Sequence, residues 1–180
     1  MRLQEQYKKQ IVPELKKKFA YKNIFEVPCI EKIVVNVGFG RHNKDKQYIK
    51  MVEEGLTRIT GQKPMLNKAK KSISAFKIRE GNIIGASVTL RGKRMYDFLE
   101  KLINVSFPRV QDFRGINSKG IDRTGNLTVG FKEHTSFPEI KLGEVDNVFG
   151  LELSLATSAK NKEEGLALFT LLGFPFKKKQ

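Results

Sequence analysis

Positive charge is concentrated in one stretch of the sequence, from Lys63 to Arg94. That stretch contains one acidic residue, Glu80, and nine basic residues: Lys63, Lys68, Lys70, Lys71, Lys77, Arg79, Arg91, Lys93 and Arg94. So many like charges repel one another unless an anion neutralises them. Because apolar residues such as Ile73 and Phe76 are interleaved with the charges, the stretch is predicted to form part of a folded surface that binds a polyanion.

The charge of the whole chain favours the same kind of partner. The 180 residues include 34 Lys and Arg against 19 Asp and Glu, which gives a formal net charge of +15. Charge on this scale favours nucleic acid. A membrane surface is also anionic, but the sequence has no Trp and no apolar run of transmembrane length, so no membrane partner is predicted.

The single cysteine and the first ten residues bear on the compartment. Cys29 is the only cysteine, which excludes an intramolecular disulfide framework and a cysteine-built zinc site. We predict that it is a small buried side chain rather than a nucleophile. The opening residues are charged and lack an apolar core, so no secretory signal is recognised and a cytoplasmic location is expected.

Motifs typical of enzymes are incomplete. Gly38 and Gly40 follow a predicted strand, as in a dinucleotide fingerprint, but Asn43 stands where the third Gly is required. The phosphate-binding loop motif is missing as well. His42 and His134 are far apart, match no metal-binding spacing and are predicted to be surface residues. We therefore expect no catalytic residue, no metal and no cofactor, and a nucleotide-dependent enzyme is disfavoured.

Hydrophobic periodicity predicts the elements that carry the basic residues. Alternation predicts strands over 31–37, 83–91, 126–132 and 151–157, with a short extended piece over 64–70. Spacing of three to four residues predicts helices over 2–21, 44–60 and 94–104, and one from an Asn161 cap to Leu172. Residues 109–125 are predicted to be irregular, with few apolar residues to hold them in place. Residues 70–82, which we call the basic loop, lack periodicity and are longer than most connections.

The predicted strands each have one apolar face. Their opposite faces collect polar and basic residues: Lys32, Asn36, Ser87, Thr89, Arg91, Thr128 and Lys132. A parallel sheet buried on both sides would instead show continuous apolar runs. The prediction is one α+β domain over residues 1–180, with a mostly antiparallel sheet, helices packed on one face and an open polar and basic face.

Five blocks of sequence carry a resemblance over nearly the whole chain. They are Ile33–Gly38, the pair Gly61–Pro64 and Lys68–Ile73, Phe76–Gly81, Gly85–Gly92, and Asp112–Gly115 with Phe137–Glu139. Together they resemble the bacterial large-subunit ribosomal proteins of the L-five family, which bind 5S ribosomal RNA. The chain departs from that pattern at Lys68, where Arg is expected, although either cation can meet a phosphate.

The resemblance implies an RNA-binding face and its residues. In that family an Asn of the first strand, a Gln after the second helix and a Thr of the central strand contact 5S ribosomal RNA, and they correspond to Asn36, Gln62 and Thr89. Neighbouring residues expected to add phosphate or hydroxyl contacts are Lys32, Ser87, Arg91 and Lys68. The expected function is structural: anchoring 5S and adjacent 23S ribosomal RNA in the central protuberance of the 50S subunit.

The resemblance also implies further partners. The basic loop is expected to reach transfer RNA in the peptidyl site through Lys70, Lys71, Ser72, Ser74, Phe76, Lys77 and Arg79. Another edge is expected to contact a protein of the small-subunit head, beside other proteins of the central protuberance. A free-standing RNA-binding regulator or chaperone shares the basic sheet and stays an alternative, separable because it would not sediment with large subunits.

Overall fold

The computed structural model describes residues 2–140 and 147–177. Within them, five strands form one antiparallel sheet in the order β2-β3-β1-β5-β4. The strands are β1 (Ile30–Gly38), β2 (Met65–Lys68), β3 (Ile83–Leu90), β4 (Leu127–Phe131) and β5 (Leu151–Thr157). This is an α+β fold, as the alternation predicts. Each of the four predicted strands is present, with small differences at its ends, and the short extended piece is β2.

Four helical runs accompany the sheet in the described part of the chain. Two are single helices, Lys46–Thr60 and Lys162–Leu171. The other two contain a π-helical turn: Leu3–Gln6, Tyr7–Ile11 and Val12–Phe19 follow one another directly, as do Gly92–Lys101, Leu102–Ser106 and Phe107–Arg109. Short 3₁₀ turns occupy Ile24–Glu26, Gly40–His42, Ser74–Phe76, Ser118–Gly120 and His134–Ser136.

Both π-helical turns end two residues before a proline. Pro13 follows the turn that ends at Ile11, and Pro108 follows the turn that ends at Ser106. Proline offers no backbone N–H and its ring crowds the preceding turn, so a locally wider helix accommodates it. The prediction that the helix ends before Phe107 is therefore wrong: it continues through Pro108 to Arg109.

Helix caps explain where the single helices begin and end. The Asp45 carboxylate accepts hydrogen bonds from the backbone N–H groups of Gln47 and Tyr48, at 2.9 and 3.1 Å. Gly61 closes the same helix with a φ of +68°, a left-handed conformation that suits glycine. Asn161 Oδ1 accepts from the Glu164 N–H at 2.9 Å, which confirms the predicted N-cap.

The described contacts group the chain into two compact units. The first unit comprises Met1–Ile33, Leu90–Val129 and Ser154–Gln180, and the second comprises Val34–Thr89 and Gly130–Leu153. Each has buried apolar residues of its own. In the first unit they include Leu15, Leu99, Leu127 and Phe169, and in the second Val35, Val52, Leu56 and Val88. The prediction of a single domain over residues 1–180 stays a prediction.

The stretch 109–125 is irregular, as expected, but apolar anchors hold it within the first unit. Ile116 and Ile121 are 7% and 2% exposed. Ile116 also exchanges backbone hydrogen bonds with the C-terminal segment: its N–H donates to Pro175 O at 2.7 Å, and Lys177 N–H donates to its carbonyl at 2.9 Å. Two buried isoleucines therefore order a segment whose composition looks polar.

Two kinds of feature are not found in the described part of the chain. No helix there combines the length and apolar character that crossing a membrane requires. Residues 2–140 and 147–177 also contain no group of three or more His, Cys, Asp or Glu side chains that could hold a metal ion.

Candidate nucleic-acid interface

Strand β1 separates a buried face from a partly open one. Ile33, Val35 and Val37 are at most 1% exposed, whereas Lys32 and Asn36, which alternate with them in sequence, are half-buried. Side chains of a strand alternate between the faces of its sheet. Asn36 therefore lies on the face opposite to the buried valines, where its amide can reach a ligand.

Strand β3 repeats this pattern beside β1. Ala86, Val88 and Leu90 are at most 2% exposed, while Ser87 is half-buried and Thr89 is exposed. Because β3 and β1 are hydrogen-bonded neighbours in the sheet, their polar residues extend one continuous face. Within the second unit, the structure thus places Asn36, Ser87 and Thr89 on the same open side.

Gln62 joins this face through a direct hydrogen bond. It follows the C-terminal Gly61 of the helix Lys46–Thr60, and its Nε2 donates to the carbonyl oxygen of Thr89 at 3.3 Å. Its own backbone N–H donates to Thr60 Oγ1 at 3.3 Å, so both ends of the residue are positioned. Gln62 and Thr89, which are 27 residues apart in the sequence, therefore lie together.

The remaining predicted cations are accessible. Lys68 is exposed at the end of β2, where a bulge between Asn67 and Lys68 shifts the register with β3. Arg91 is exposed immediately after β3 and is the N-cap residue of the helix that begins at Gly92. Lys32 and Arg91 belong to the first unit and Lys68 to the second. Each can approach a phosphate from the surface of its own unit.

The basic loop is a closed hairpin-like extension. At its base Ala69 N–H donates to Asn82 O at 2.8 Å, and Gly81 N–H donates to Ala69 O at 3.0 Å. Further out, Ile73 and Ile78 exchange backbone hydrogen bonds of 2.9 and 3.2 Å, and a 3₁₀ turn, Ser74–Phe76, forms the end. The sequence of this loop shows no periodicity because its bridged segments are too short to repeat a pattern.

The end of the basic loop presents cations and one aromatic ring. Phe76 is 71% exposed, and Lys70, Lys71, Lys77 and Arg79 are exposed as well. Ser72 plays an internal role, because its Oγ accepts a hydrogen bond from Glu80 N–H at 2.9 Å. An exposed ring among cations can stack on a nucleobase while the cations meet phosphates.

The two histidines differ, and the prediction that both are surface residues is wrong for His134. Its side chain is 2% exposed, and its ring stacks on Phe149 at 3.9 Å between centroids. His134 Nδ1 accepts from the Phe149 N–H at 3.3 Å, so it is a structural residue. Burial lowers the pKa of His134, although the backbone of Phe149 and the negative charge of Glu133 act in the opposite direction. His42 is exposed and stacks on Tyr48 at 4.4 Å.

Cys29 is half-buried rather than fully buried, which corrects the prediction. Its Sγ lies 3.4 Å from Ser158 Oγ, and its N–H donates to the same oxygen at 3.0 Å. Strand alternation could not show this, because Cys29 precedes the first residue of β1.

Sequence reasoning missed one polar residue of the face, Asn67. It lies on β2 opposite Gly85, and its side-chain amide contacts the hydroxyl of Ser87 at 3.2 Å. The sequence predicts the short extended piece, but a strand of four residues does not specify its register with β3. The register between β2 and β3 places Asn67 beside Ser87, and it is seen only in the structure.

Two protein-family models together match most of the chain. A family model described as "Ribosomal protein L5" matches residues 23–79, and a second model, for the C-terminus of the same ribosomal family, matches residues 83–176. The first range contains Asn36 and Gln62, and the second contains Thr89.

Similar proteins from three bacteria share one name, large ribosomal subunit protein uL5. The protein of that name from Halothermothrix orenii is 53% identical over 174 residues, which cover 97% of each chain. Its namesake from Brevibacillus brevis is 52% identical over 177 residues, or 98% of each chain. Another, from Colwellia psychrerythraea, is 49% identical over 178 residues, covering 99% of this chain and 98% of the relative.

Proposed function

The chain belongs to the ribosomal protein L5 family, and from this premise we propose that it anchors 5S ribosomal RNA in the central protuberance of the large ribosomal subunit. The family is structural and not enzymatic. The partners proposed are 5S ribosomal RNA, the adjacent 23S ribosomal RNA, and neighbouring proteins of the protuberance in the cytoplasmic 50S subunit.

The observation that carries this proposal is the open sheet face of the second unit. Asn36, Ser87 and Thr89 share it, and Gln62 is tied to it by the 3.3 Å hydrogen bond to Thr89 O. A side-chain amide offers two hydrogen-bond donors and an acceptor oxygen, and a hydroxyl offers one donor and an acceptor oxygen. RNA is recognised largely through shape, exposed bases and the 2′-hydroxyl. A fixed set of such groups on a sheet suits this recognition.

Affinity and register are divided between two sets of residues in this proposal. Lys32, Lys68 and Arg91 are accessible cations that neutralise phosphates, which supplies salt-sensitive affinity without sequence information. Asn36, Gln62 and Thr89 are uncharged and supply register, because their hydrogen bonds require particular partner atoms at particular positions.

Substitution of the uncharged residues tests the proposal. We expect Asn36→Ala and Thr89→Ala each to weaken 5S ribosomal RNA binding by about 1–3 kcal/mol, the range of one specific contact. Filter binding with purified protein measures this. Thr57→Ala is a matched control, because Thr57 is exposed on the helix Lys46–Thr60 and its hydroxyl donates to Glu53 O of the same helix. Unchanged dissociation constants for both test variants would refute the assigned face.

A second element of the proposal concerns the basic loop. The residues proposed to contact transfer RNA in the peptidyl site are the exposed Phe76 ring together with Lys70, Lys71, Ser72, Ser74, Lys77 and Arg79. Of these, Ser72 also accepts a hydrogen bond from the Glu80 N–H within the loop. The support is the arrangement of cations around an aromatic ring on a closed extension of the sheet. Another surface of the protein is proposed to contact a protein of the small-subunit head.

Sedimentation separates this proposal from a free-standing RNA-binding regulator. A ribosomal constituent should co-sediment with large subunits in a sucrose gradient at low salt and should purify together with 5S ribosomal RNA. Protein found only at the top of the gradient in growing cells would exclude the ribosomal role.

A further inference from the structure

The pairing of β2 with β3 places an additional amide on the open face. Met65 lies opposite Ser87, and Asn67 lies opposite Gly85. Residues directly opposite each other in an antiparallel pair point to the same side of the sheet. Ser87 is on the open side, and Gly85, two residues before it, occupies the same side. Asn67 therefore faces the side proposed to bind RNA.

The Asn67 amide and the Ser87 hydroxyl form a pair with unused capacity. Asn67 Nδ2 lies 3.2 Å from Ser87 Oγ, and Ser87 Oγ lies 3.4 Å from Asn67 Oδ1. One hydroxyl proton and one amide hydrogen suffice for these contacts. A second amide hydrogen and lone pairs on both oxygens are then left over. Both residues are half-buried, so the remaining donor and acceptors can meet a ligand.

Gly85 leaves the space beside this pair without a side chain. A Cβ placed on Gly85 would lie 3.0 Å from the carbonyl oxygen of Val37 and 3.9 Å from Asn67 Nδ2. The absent side chain allows the Val37 carbonyl of β1 to approach closely, and it places no methyl group beside the Asn67 amide. Gly85 itself is buried, so the polar groups that remain accessible at this position of the open side are those of Asn67 and Ser87.

We propose that Asn67 and Ser87 form a further RNA-binding pair that recognises a ribose 2′-hydroxyl. This inference rests on the proposed function and specifies the chemistry of one additional contact. A 2′-hydroxyl both donates and accepts, so it matches a pair that retains a donor and acceptors. A phosphate oxygen only accepts and would leave the free oxygen lone pairs unmatched. The pair is neutral and thus adds register rather than salt-sensitive affinity.

The test is binding of a 5S ribosomal RNA transcript by five variants of the full chain, one of them Asn36→Ala, with hydroxyl-radical footprinting of the bound RNA. Asn67→Ala and Ser87→Ala should each bind about 5- to 20-fold more weakly, the range of one hydrogen-bonding contact. Asn67→Asp keeps an acceptor for the Ser87 hydroxyl but loses the amide donors and adds negative charge, so it should lose more. Asn104→Asp, an exposed helix position with the same charge change, should stay within about twofold.

The footprint distinguishes an RNA contact from a purely structural pair. We expect Asn67→Ala to lose protection of one or two riboses that Asn36→Ala still protects. If Asn67 only fastens β2 to β3, the melting temperature falls while the pattern of protected riboses is unchanged, and the inference is overturned. Should Asn67→Ala fail to fold, Asn67→Asp and Ser87→Ala decide in the same assay.

Failure of this inference is separable from failure of the proposed function. If unsubstituted protein does not bind the transcript, the proposed function itself is wrong. A different outcome excludes only the additional pair. In that outcome the unsubstituted protein binds the transcript and Asn36→Ala weakens binding, but the Asn67 and Ser87 variants have the same affinity and footprint as the unsubstituted protein.

Discussion

Individual residues of the open face owe their position to the two-residue repeat of their strands. Asn36 alternates with Val35 and Val37, and Thr89 alternates with Val88 and Leu90. A slip of one residue in either strand would bury the polar group and expose the apolar one. The buried apolar residues therefore fix the proposed RNA-contacting residues indirectly, through the large free energy of apolar burial.

His134 makes stability depend on pH. Burial lowers its pKa, so the folded protein favours neutral imidazole, while the unfolded chain takes up a proton near pH 6.5. The contribution of neutral His134 to the free energy of unfolding is fully present above about pH 6.5. It is lost as the pH falls towards the lower pKa of the folded state. His134→Asn keeps an acceptor for the Phe149 N–H but does not titrate in this range. Between pH 7.5 and 5.5, the free energy of unfolding measured with urea should therefore fall less for this variant than for the unsubstituted protein. An equal fall in both proteins would contradict the prediction.

Gly125 is predicted to tolerate no side chain. Its φ is +81°, and an added Cβ would lie 2.7 Å from Ala159 Cβ and 2.8 Å from Asn161 O. Gly125→Ala should therefore destabilise the protein by about 2–4 kcal/mol, from backbone strain together with overpacking. Gly130→Ala is the matched control, because no atom lies within 4 Å of its added Cβ. Thermal unfolding of both variants measures the difference; similar melting temperatures would refute the prediction.

At the scale of single residues, the sequence predicts strand positions well and loop positions poorly. Asn36 and Thr89 follow from alternation alone. Asn67 does not, because four residues of β2 cannot specify their partner strand. The prediction for His134 is wrong because its burial depends on Phe149, 15 residues away and in no regular pattern with it.

At the scale of the elements, the basic loop and the sheet face are proposed to contact different RNAs, so they can be tested separately. At the base of the loop, Ala69 N–H donates a hydrogen bond to Asn82 O, and the end of the loop carries the exposed Phe76. Replacing Lys70, Lys71 and Lys77 by Gln should leave 5S ribosomal RNA binding within about threefold, because the sheet face is unchanged and distant surface charges contribute little, but should impair translation. Filter binding and in vitro protein synthesis measure the two effects. Loss of 5S binding in this variant would show that the surface is divided differently.

Helices are predicted reliably where caps mark their ends and less well at prolines. Gly61 and Asn161 end and begin their helices as the sequence indicates, whereas Asp45, which falls inside the helix predicted over 44–60, is instead the N-cap of the helix Lys46–Thr60. Pro108 is expected to follow the end of a helix, yet a π-helical turn accommodates it and the helix continues to Arg109. A proline forbids one hydrogen bond, and whether the helix widens or stops depends on packing that local sequence does not encode. Here Phe107, 1% exposed, is buried in the next turn.

At the scale of the whole molecule, the net charge of +15 should make RNA affinity strongly dependent on salt. Each phosphate contact contributes roughly 0.7–0.9 to the slope of log affinity against log salt concentration. Lys32→Gln, Lys68→Gln and Arg91→Gln should therefore each lower the slope by about one, whereas Asn36→Ala should lower affinity at an unchanged slope. Binding isotherms across a potassium chloride series measure both quantities. An equal slope for all variants would contradict the division between charged and uncharged contacts.

The fold class also follows from the whole pattern, since one apolar face on each strand implies a sheet covered on one side. What the pattern does not contain is the grouping of residues into two units. Val34–Thr89 and Gly130–Leu153 come together although a segment of the first unit, Leu90–Val129, lies between them in the chain. Long-range contacts of this kind are specified by three-dimensional packing rather than by local periodicity.

Strand β2 lies at an edge of the sheet, and it is short, bulged between Asn67 and Lys68, and terminated by an exposed lysine. An unprotected edge would offer its free N–H and C=O groups to the sheet of another copy. Four residues, a shifted register and a positive charge make that union unfavourable. Through this edge, two copies of the chain are therefore disfavoured from joining their sheets into a continuous one.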